Sequence, residues 1–478
     1  MIDRREILAA AGNLGLLPSV VEKDYVLSWV LAGIFAHKTL APHWIFKGGT
    51  CLKKCYFETY RFSEDLDFTI TDDAHLSQDF LVPAFREVAA WIYERTGIEI
   101  PADKIRFDVF KNRREKLQAE GRLSYRGPIA PAGGDLPRIK LDLTVDEILV
   151  MPPAERRVFH PYPDDPEGGI TAHCYAYEEA FAEKMRALGD RARPRDLYDV
   201  VNLFRHGDMR PEAKAIAGIL AKKCAFKGLD VPTLAALEKH REELQGDWGS
   251  MLGHQLPSLP PVGVFWDELP AVFTWMDSGQ EPARLAAVPL AEGDIVVRAP
   301  AGGLVIPGIA STQPLEIIRF AASNRLCVEL DYTAEDGRRS SRVIEPYSLR
   351  RTQAGDVILH AVRADSGASR SYRVDRIRGA KATERAFAPR YEIELVPGAF
   401  MPAGIPQATR PMRVAAPQRF GPRPRATAFR SGPVHVYECP LCSKRFERKT
   451  HDSALRPHKD KNGWPCGGRH GMYVDTKW

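Results

Sequence analysis

The stretch Gly48-Gly-Thr50, followed by Asp65-Leu-Asp-Phe-Thr-Ile70, decides the fold. In a strand over 65–70, alternation puts Asp65, Asp67 and Thr69 on one face and Leu66, Phe68 and Ile70 on the other. Two carboxylates on one strand face repel each other unless a cation lies between them. Side-by-side oxygen ligands suit Mg²⁺ or Mn²⁺, which take carboxylates together with substrate phosphates. A solvated edge-strand face is the plainer alternative. The glycine pair follows a short strand, HWIFK, and opens a helical stretch near 50–58. Such a turn lets backbone amides approach phosphates at a helix N-terminus, though a glycine pair by itself also marks an ordinary turn.

Working outward, Ile139-Lys-Leu-Asp-Leu-Thr-Val145 is a second strand with apolar odd positions, so Lys140, Asp142 and Thr144 share the other face. A third carboxylate on a neighbouring strand completes a two-metal site of the kind used in phosphoryl transfer. A helix over 174–190 carries the apolar stripe Tyr177, Phe181, Met185 and Leu188, and Lys184 falls on that stripe. A core-facing lysine is costly unless an anion pairs with it, and a triphosphate is one such anion; snorkelling to the surface is the other outcome. Arg195, Asp196 and Asp199 follow around one turn. Ser19-x-x-Glu22 predicts a capping box for a helix over 20–36. Further helices are expected at 76–96, 195–206 and 211–225, with strands at 105–110 and 138–146. The alternation implies an α/β or α+β domain to about residue 275. Lys111, Arg113, Arg114 and Lys116 read either as a flank for an RNA acceptor or as a solvated helix face.

Lys23-Asp-Tyr25, FKGGTCLKKCYF, RFSEDLDF, IKLDLT, EEAFAEKMRAL and RPRDLYD, in that order, resemble the AbiEii/AbiGii nucleotidyltransferase toxins of toxin–antitoxin and antiphage systems. The resemblance implies a DNA polymerase β-like nucleotidyltransferase core with a helical C-terminal part. It implies that Gly48, Gly49 and Thr50 hold the phosphates of an NTP, that Asp65, Asp67 and Asp142 serve the catalytic metal, that Lys184 contacts the triphosphate, and that Asp196 is the family's acidic residue after that helix. Some members modify the 3′ end of tRNA, so RNA is the expected acceptor and a cognate antitoxin the expected partner.

Alternating stretches after residue 312, LCVELDYT, SRVIEPYSL, DVILHAVRA, SRSYRVDRI and RYEIELV, predict a small β-rich domain. Its Glu345-Pro-Tyr347 and Arg373-Val-Asp-Arg-Ile377 pieces resemble the WYL domain, which implies an Sm-like β-barrel that senses a small ligand or nucleic acid. Arg342, Tyr347, Arg370, Arg373 and Arg376 are the candidate ligand surface, since arginine forks suit phosphates; an internal Asp375–Arg376 tie is the structural reading.

Cys439-Pro-Leu-Cys442, then His458 and Cys466, fit a closed tetrahedral Zn²⁺ site. His470 competes with His458, and His451 is a further candidate. A module of this size needs such a staple. The remaining cysteines, Cys51, Cys55, Cys174, Cys224 and Cys327, are spread along the chain and expected to be reduced.

The 478 residues suggest about three domains. Composition, 44% hydrophobic and 27% charged, excludes a mainly disordered or fibrous chain. No apolar run reaches the ~18 residues of a membrane span, and the N-terminus lacks a signal-peptide core, so a cytoplasmic protein is expected. The expected organisation is a nucleotidyltransferase domain over 1–277, a linker over 278–311, a WYL-like domain over 312–396, a Pro/Arg-rich basic linker over 397–433 and a zinc module over 434–478. Residues 396–478 hold 15 Lys+Arg against 5 Asp+Glu, a net of +10 beside −5 for the remainder. That asymmetry points to nucleic-acid contact at the basic end. The leading functional expectation is a metal-dependent nucleotidyltransferase toxin. The rival is a nucleic-acid-binding regulator with an inactive nucleotidyltransferase fold. A small-molecule adenylyltransferase is disfavoured by the two C-terminal modules.

Overall fold

The computed structural model describes residues 2–57, 60–129, 135–207, 209–289, 291–297 and 313–395, and in the C-terminal part 434–439, 444–448, 455, 458–459, 465–466 and 472–477. The chain divides into two compact units, Met1–Gly404 and Ile405–Trp478.

The first half of the larger unit is α1 (Arg4–Leu14), α2 (Pro18–Ala36), β1 (Trp44–Lys47), α3 (Gly48–Cys51) running into a π-helical turn (Leu52–Tyr56), β2 (Asp65–Ile70), α4 (Gln78–Thr96), β3 (Ile105–Lys111), β4 (Leu117–Ser124), β5 (Arg138–Thr144), β6 (Ala154–Val158) and β7 (Ile170–Cys174). The strands form one mixed sheet in the order β3-β4-β5-β2-β1-β7-β6. β2 lies between antiparallel β1 and parallel β5. Its core face, Leu66, Phe68 and Ile70, is buried in the hydrophobic core, where Phe68 meets Phe35 of α2 and Trp44 and Phe46 of β1. The alternation read from the sequence therefore sets which face carries the carboxylates.

Two local expectations fail for identifiable reasons. Pro18 occupies the first helical position of α2, so the helix starts before Ser19 and has no side-chain cap. Glu22 then accepts from the Ile129 amide at 2.7 Å instead of closing a capping box. Lys111, Arg113, Arg114 and Lys116 lie at a β-hairpin turn between β3 and β4, not on a helix.

The helical half follows: α5 (Tyr177–Arg191), α6 (Pro194–Arg205), α7 (Ala213–Lys227), α8 (Leu234–Glu238), α9 (Arg241–Leu252), α10 (Val262–Trp266) and α11 (Leu269–Ser278). α5 ends at Ala192 in the left-handed region, φ 42°, and Pro194 starts α6. That sharp connection sets the two helices against each other.

The WYL-like part contains β8 (Ile295–Val296), α12 (Gln313–Ser323), β9 (Leu326–Thr333), β10 (Arg339–Arg351), β11 (Val357–Arg363), β12 (Ser369–Arg373) and β13 (Ile377–Ala386). Its sheet has the order β12-β11-β10-β9-β13, with β8 on β10, all antiparallel. Among the described residues β12 and β13 do not pair, so the expected barrel is an open sheet. The last expected strand, RYEIELV, is also displaced: the sheet's fifth strand is 377–386, and 390–395 form no strand. This part packs on the helical half, where Tyr198 Oη of α6 donates to Asn324 Oδ1 at 2.8 Å.

In the smaller unit β14 (Val434–Glu438) pairs with β15 (Arg445–Arg448) and β18 (Met472–Lys477), and β16 (His458–Lys459) with β17 (Pro465–Cys466). No helix among the described residues is long and apolar enough to cross a membrane.

Candidate active site

The centre of the site is set by strand register. Asp67 of β2 stands opposite Asp142 of β5, and Asp65 opposite Lys140. Asp67 also stands opposite Lys47 of β1. Adjacent strands lie about 4.8 Å apart, so the three carboxylates gather on one face of the sheet.

The glycine turn is pressed against these groups. Gly48 has φ 77°, and a Cβ there would lie 2.1 Å from Asp67 Oδ2. A Cβ on Gly49 would lie 2.4 Å from Arg61 Nη2. The pair therefore fits between an acid and a guanidinium of the protein itself, a reason for glycine independent of any phosphate. Thr50 is buried, and its hydroxyl donates to the Asp65 carbonyl at 2.5 Å, which ties the turn to β2 and leaves only its backbone for a ligand.

The acids strain one another electrostatically. Burial above all, with the like charges of Asp142 and Asp65 added, pushes Asp67 up to about 6 although Lys47 and Lys184 oppose it. Burial also raises Asp65, against the pull of Lys140. Lys140 Nζ sits 3.0 Å from Asp142 Oδ2. A lysine thus supplies part of the positive charge that three clustered acids need. The donor set is all carboxylate, which suits a hard divalent cation such as Mg²⁺ or Mn²⁺.

Lys184 is nearly buried, and its ammonium is held by Asp199 at 2.7 Å and Asp196 at 3.6 Å. The anion that a core-facing lysine requires is present within the chain. Asp199 also accepts a fork from Arg61, 2.8 Å at both Nε and Nη2, and a hydrogen bond from Tyr60 Oη at 2.7 Å. Burial would raise Asp199, but Arg61 and Lys184 hold it well below the usual carboxylate range. Asp196 is fully buried and accepts from Arg191 Nε at 2.7 Å and Nη2 at 2.9 Å.

The structure thus brings Gly48, Asp65, Asp67 and Asp142 together, with Lys184 close enough to act electrostatically on Asp67. Asp196 lies behind Lys184. Sequence reasoning assigned no role to Lys47, Arg61 or Glu147. Lys47 Nζ is 2.5 Å from Glu147, whose carboxyl, despite burial, Lys47 and Lys223 hold down at about 2. Lys47 was visible as a polar residue in an apolar strand; Glu147 carried no signal, because its partner is a hundred residues away.

In the smaller unit the donor atoms of Cys439, His458 and Cys466 lie within 4.8 Å of one another, with the two sulfurs 3.7 Å apart. Cys442, His451 and His470 lie outside the described residues.

The model of the AbiEii family, described as nucleotidyl transferase AbiEii toxin of a type IV toxin–antitoxin system, matches residues 29–278. The chain belongs to the AbiEii family. It is therefore a nucleotidyltransferase, and membership implies use of an NTP and a divalent metal. The WYL domain model matches residues 313–382. Among solved structures, MenT4, a nucleotidyltransferase toxin from Mycobacterium tuberculosis H37Rv, is 18% identical over 58% of this chain and 90% of its own, with a TM-score of 0.37. Proteasome accessory factor B/C of Arthrobacter aurescens is 14% identical over 50% of this chain and 28% of its own, with a TM-score of 0.15. No curated protein matches the chain.

Proposed function

We propose that this AbiEii protein transfers a nucleoside monophosphate from an NTP to the 3′ hydroxyl of an RNA, such as the tRNA 3′ end, as the toxin of a toxin–antitoxin or antiphage defence system. The observation that carries the chemistry is the Asp67–Asp142 register beside Gly48, with burial first and the like charges of Asp142 and Asp65 second pushing Asp67 up to about 6. Asp65, Asp67 and Asp142 would hold Mg²⁺ or Mn²⁺. When bound, that metal supplies the positive charge that activates the hydroxyl and neutralises the phosphates.

The chain's own groups do the rest. The acceptor oxygen forms a bond to the α-phosphorus, the bond from the α-phosphorus to the bridging oxygen breaks, and pyrophosphate leaves. Asp142, its side chain 42% exposed, is open to an acceptor and is placed to take the hydroxyl proton. The backbone amides of Gly48, Gly49 and Thr50 hold phosphate oxygens. Lys184 orients the triphosphate from its seat on Asp199 and Asp196. The neutral-to-acidic body and the basic end fit an arrangement in which the WYL domain senses a small ligand or nucleic acid and the terminal module binds Zn²⁺ through Cys439, Cys442, His458 and Cys466. A cognate antitoxin would restrain the whole.

The test is incorporation of label from each NTP, with Mg²⁺ or Mn²⁺, into total RNA. Wild-type protein should label RNA and Asp67→Ala should not; a wild type that labels nothing with any NTP, or equal labelling by the variant, overturns the assignment.

A further inference from the structure

Cys174 is more than a hundred residues from Cys51 and Cys55 in sequence, yet the three sulfurs lie within 4.8 Å of one another. All three are free thiols and essentially inaccessible to solvent. The fold assembles them from separate elements. Parallel pairing of β1 with β7 puts Phe46 opposite Cys174. Cys51 closes the short helix that starts at Gly48, and Cys55 lies in the π-helical turn that follows. Turns of that kind are rare and concentrate at functional sites. Nothing in the transfer chemistry uses the cluster.

We propose that Cys51, Cys55 and Cys174 form a three-thiolate site for one buried thiophilic metal ion, with Zn²⁺ the best fit.

The spacing is suitable. Zn–S bonds of about 2.3 Å put the sulfurs of a thiolate site roughly 4 Å apart, so closing from 4.8 Å or less needs movements within the reach of side-chain rotation. Soft thiolates select Zn²⁺ or Cu⁺ over the hard cations that the aspartates favour. Charge decides between the two. Three thiolates around Zn²⁺ leave one negative charge, and Arg156 is the cation positioned to offset it: its guanidinium lies over the Tyr56 ring at 5.0 Å and acts electrostatically on Cys55 and Cys174. Around Cu⁺ two negative charges would remain. A bound ion would cross-link the helix behind Gly48 to β7 and so fix the turn against Asp67. This inference does not depend on the proposed transfer reaction.

The test uses full-length protein, purified under reducing conditions and analysed for metal by mass spectrometry. The Cys466→Ser variant, altered in the terminal module, should keep the core ion. Cys51→Ala combined with Cys174→Ala should lose one metal equivalent per chain relative to wild type. Alanine keeps these positions small and apolar; should the double variant still not fold, Co²⁺ introduced into a protein carrying Cys439→Ser, Cys442→Ser and Cys466→Ser, which leaves the terminal module without thiolates, gives a second readout. There, a thiolate-to-cobalt charge-transfer absorption is expected. Equal metal content in wild type and a folded double variant, or no such absorption with Co²⁺, overturns the proposal and leaves three core thiols.

Discussion

Replacing Gly48 by Ala isolates the contact on which the site is built. The new Cβ would sit 2.1 Å from Asp67 Oδ2 and 2.8 Å from its Cγ. Non-bonded carbon and oxygen approach to about 3.3 Å, so the carboxylate must retreat by roughly 1 Å or the turn must open by as much. Two penalties follow. The residue keeps φ near 77°, which costs about 1–2 kcal/mol once a Cβ is present, and turning Asp67 off its rotamer adds ~0.5–1.5 kcal/mol. Displacing a catalytic group by about 1 Å lowers turnover on the order of 100-fold, about 2.7 kcal/mol in the barrier. The initial rate of label transfer from NTP measures the second effect, and urea unfolding the first. Gly97→Ala is the control: Gly97 has φ 75° at the end of α4, but no atom lies within 4 Å of its would-be Cβ. That variant should lose the backbone increment of stability and keep full transfer. A folded Gly48→Ala protein within about threefold of wild-type rate would refute the claim that Asp67 is held by this contact.

Asp199→Asn leaves Arg61 and Lys184 buried without their shared counter-charge, so unfolding in urea should show a loss of about 3–5 kcal/mol; a loss under about 1 kcal/mol would mean that the two cations find other partners. Because Asp67 is pushed up to about 6, the metal-free folded state keeps that proton while the unfolded chain releases it near pH 4. Its contribution therefore favours the folded state at low pH and is lost as pH rises through about 6. A divalent ion needs the ionised form, so the rise in melting temperature on adding Mg²⁺ should grow from pH 5 to pH 7, and an increment that does not vary with pH would place the ion elsewhere. Cys439→Ser should release the zinc of the terminal module, read as metal content against wild type, and unchanged content would refute those ligands.

Much of the site was legible because it rests on local periodicity. Alternation along 65–70 and 139–145 told which residues share a face, and the structure keeps that sharing. The helical stripe of α5 told that Lys184 points inward. What it meets was not legible. The sequence left its partner open between a triphosphate and the solvent; the fold adds Asp199 and Asp196 from the next helix as partners within the chain, because the tight connection at Ala192 and Pro194 turns α6 back onto α5. The capping box at Ser19 failed because Pro18, a stronger local signal, starts the helix two residues earlier.

The sequence by itself determined which faces of the strands at 65–70 and 139–145 carry the acids, the inward face of α5, the basic end with its Cys-x-x-Cys pair, and the kinship with AbiEii and WYL proteins. Strand register, the fit of Gly48 and Gly49 between Asp67 and Arg61, the Lys47–Glu147 pair and the meeting of Cys51 and Cys55 with Cys174 were decided only by tertiary structure. The physical reason is range: a side chain's direction follows from its own backbone, but its partner across a sheet is chosen by how distant segments pack, and no short stretch of residues carries that choice.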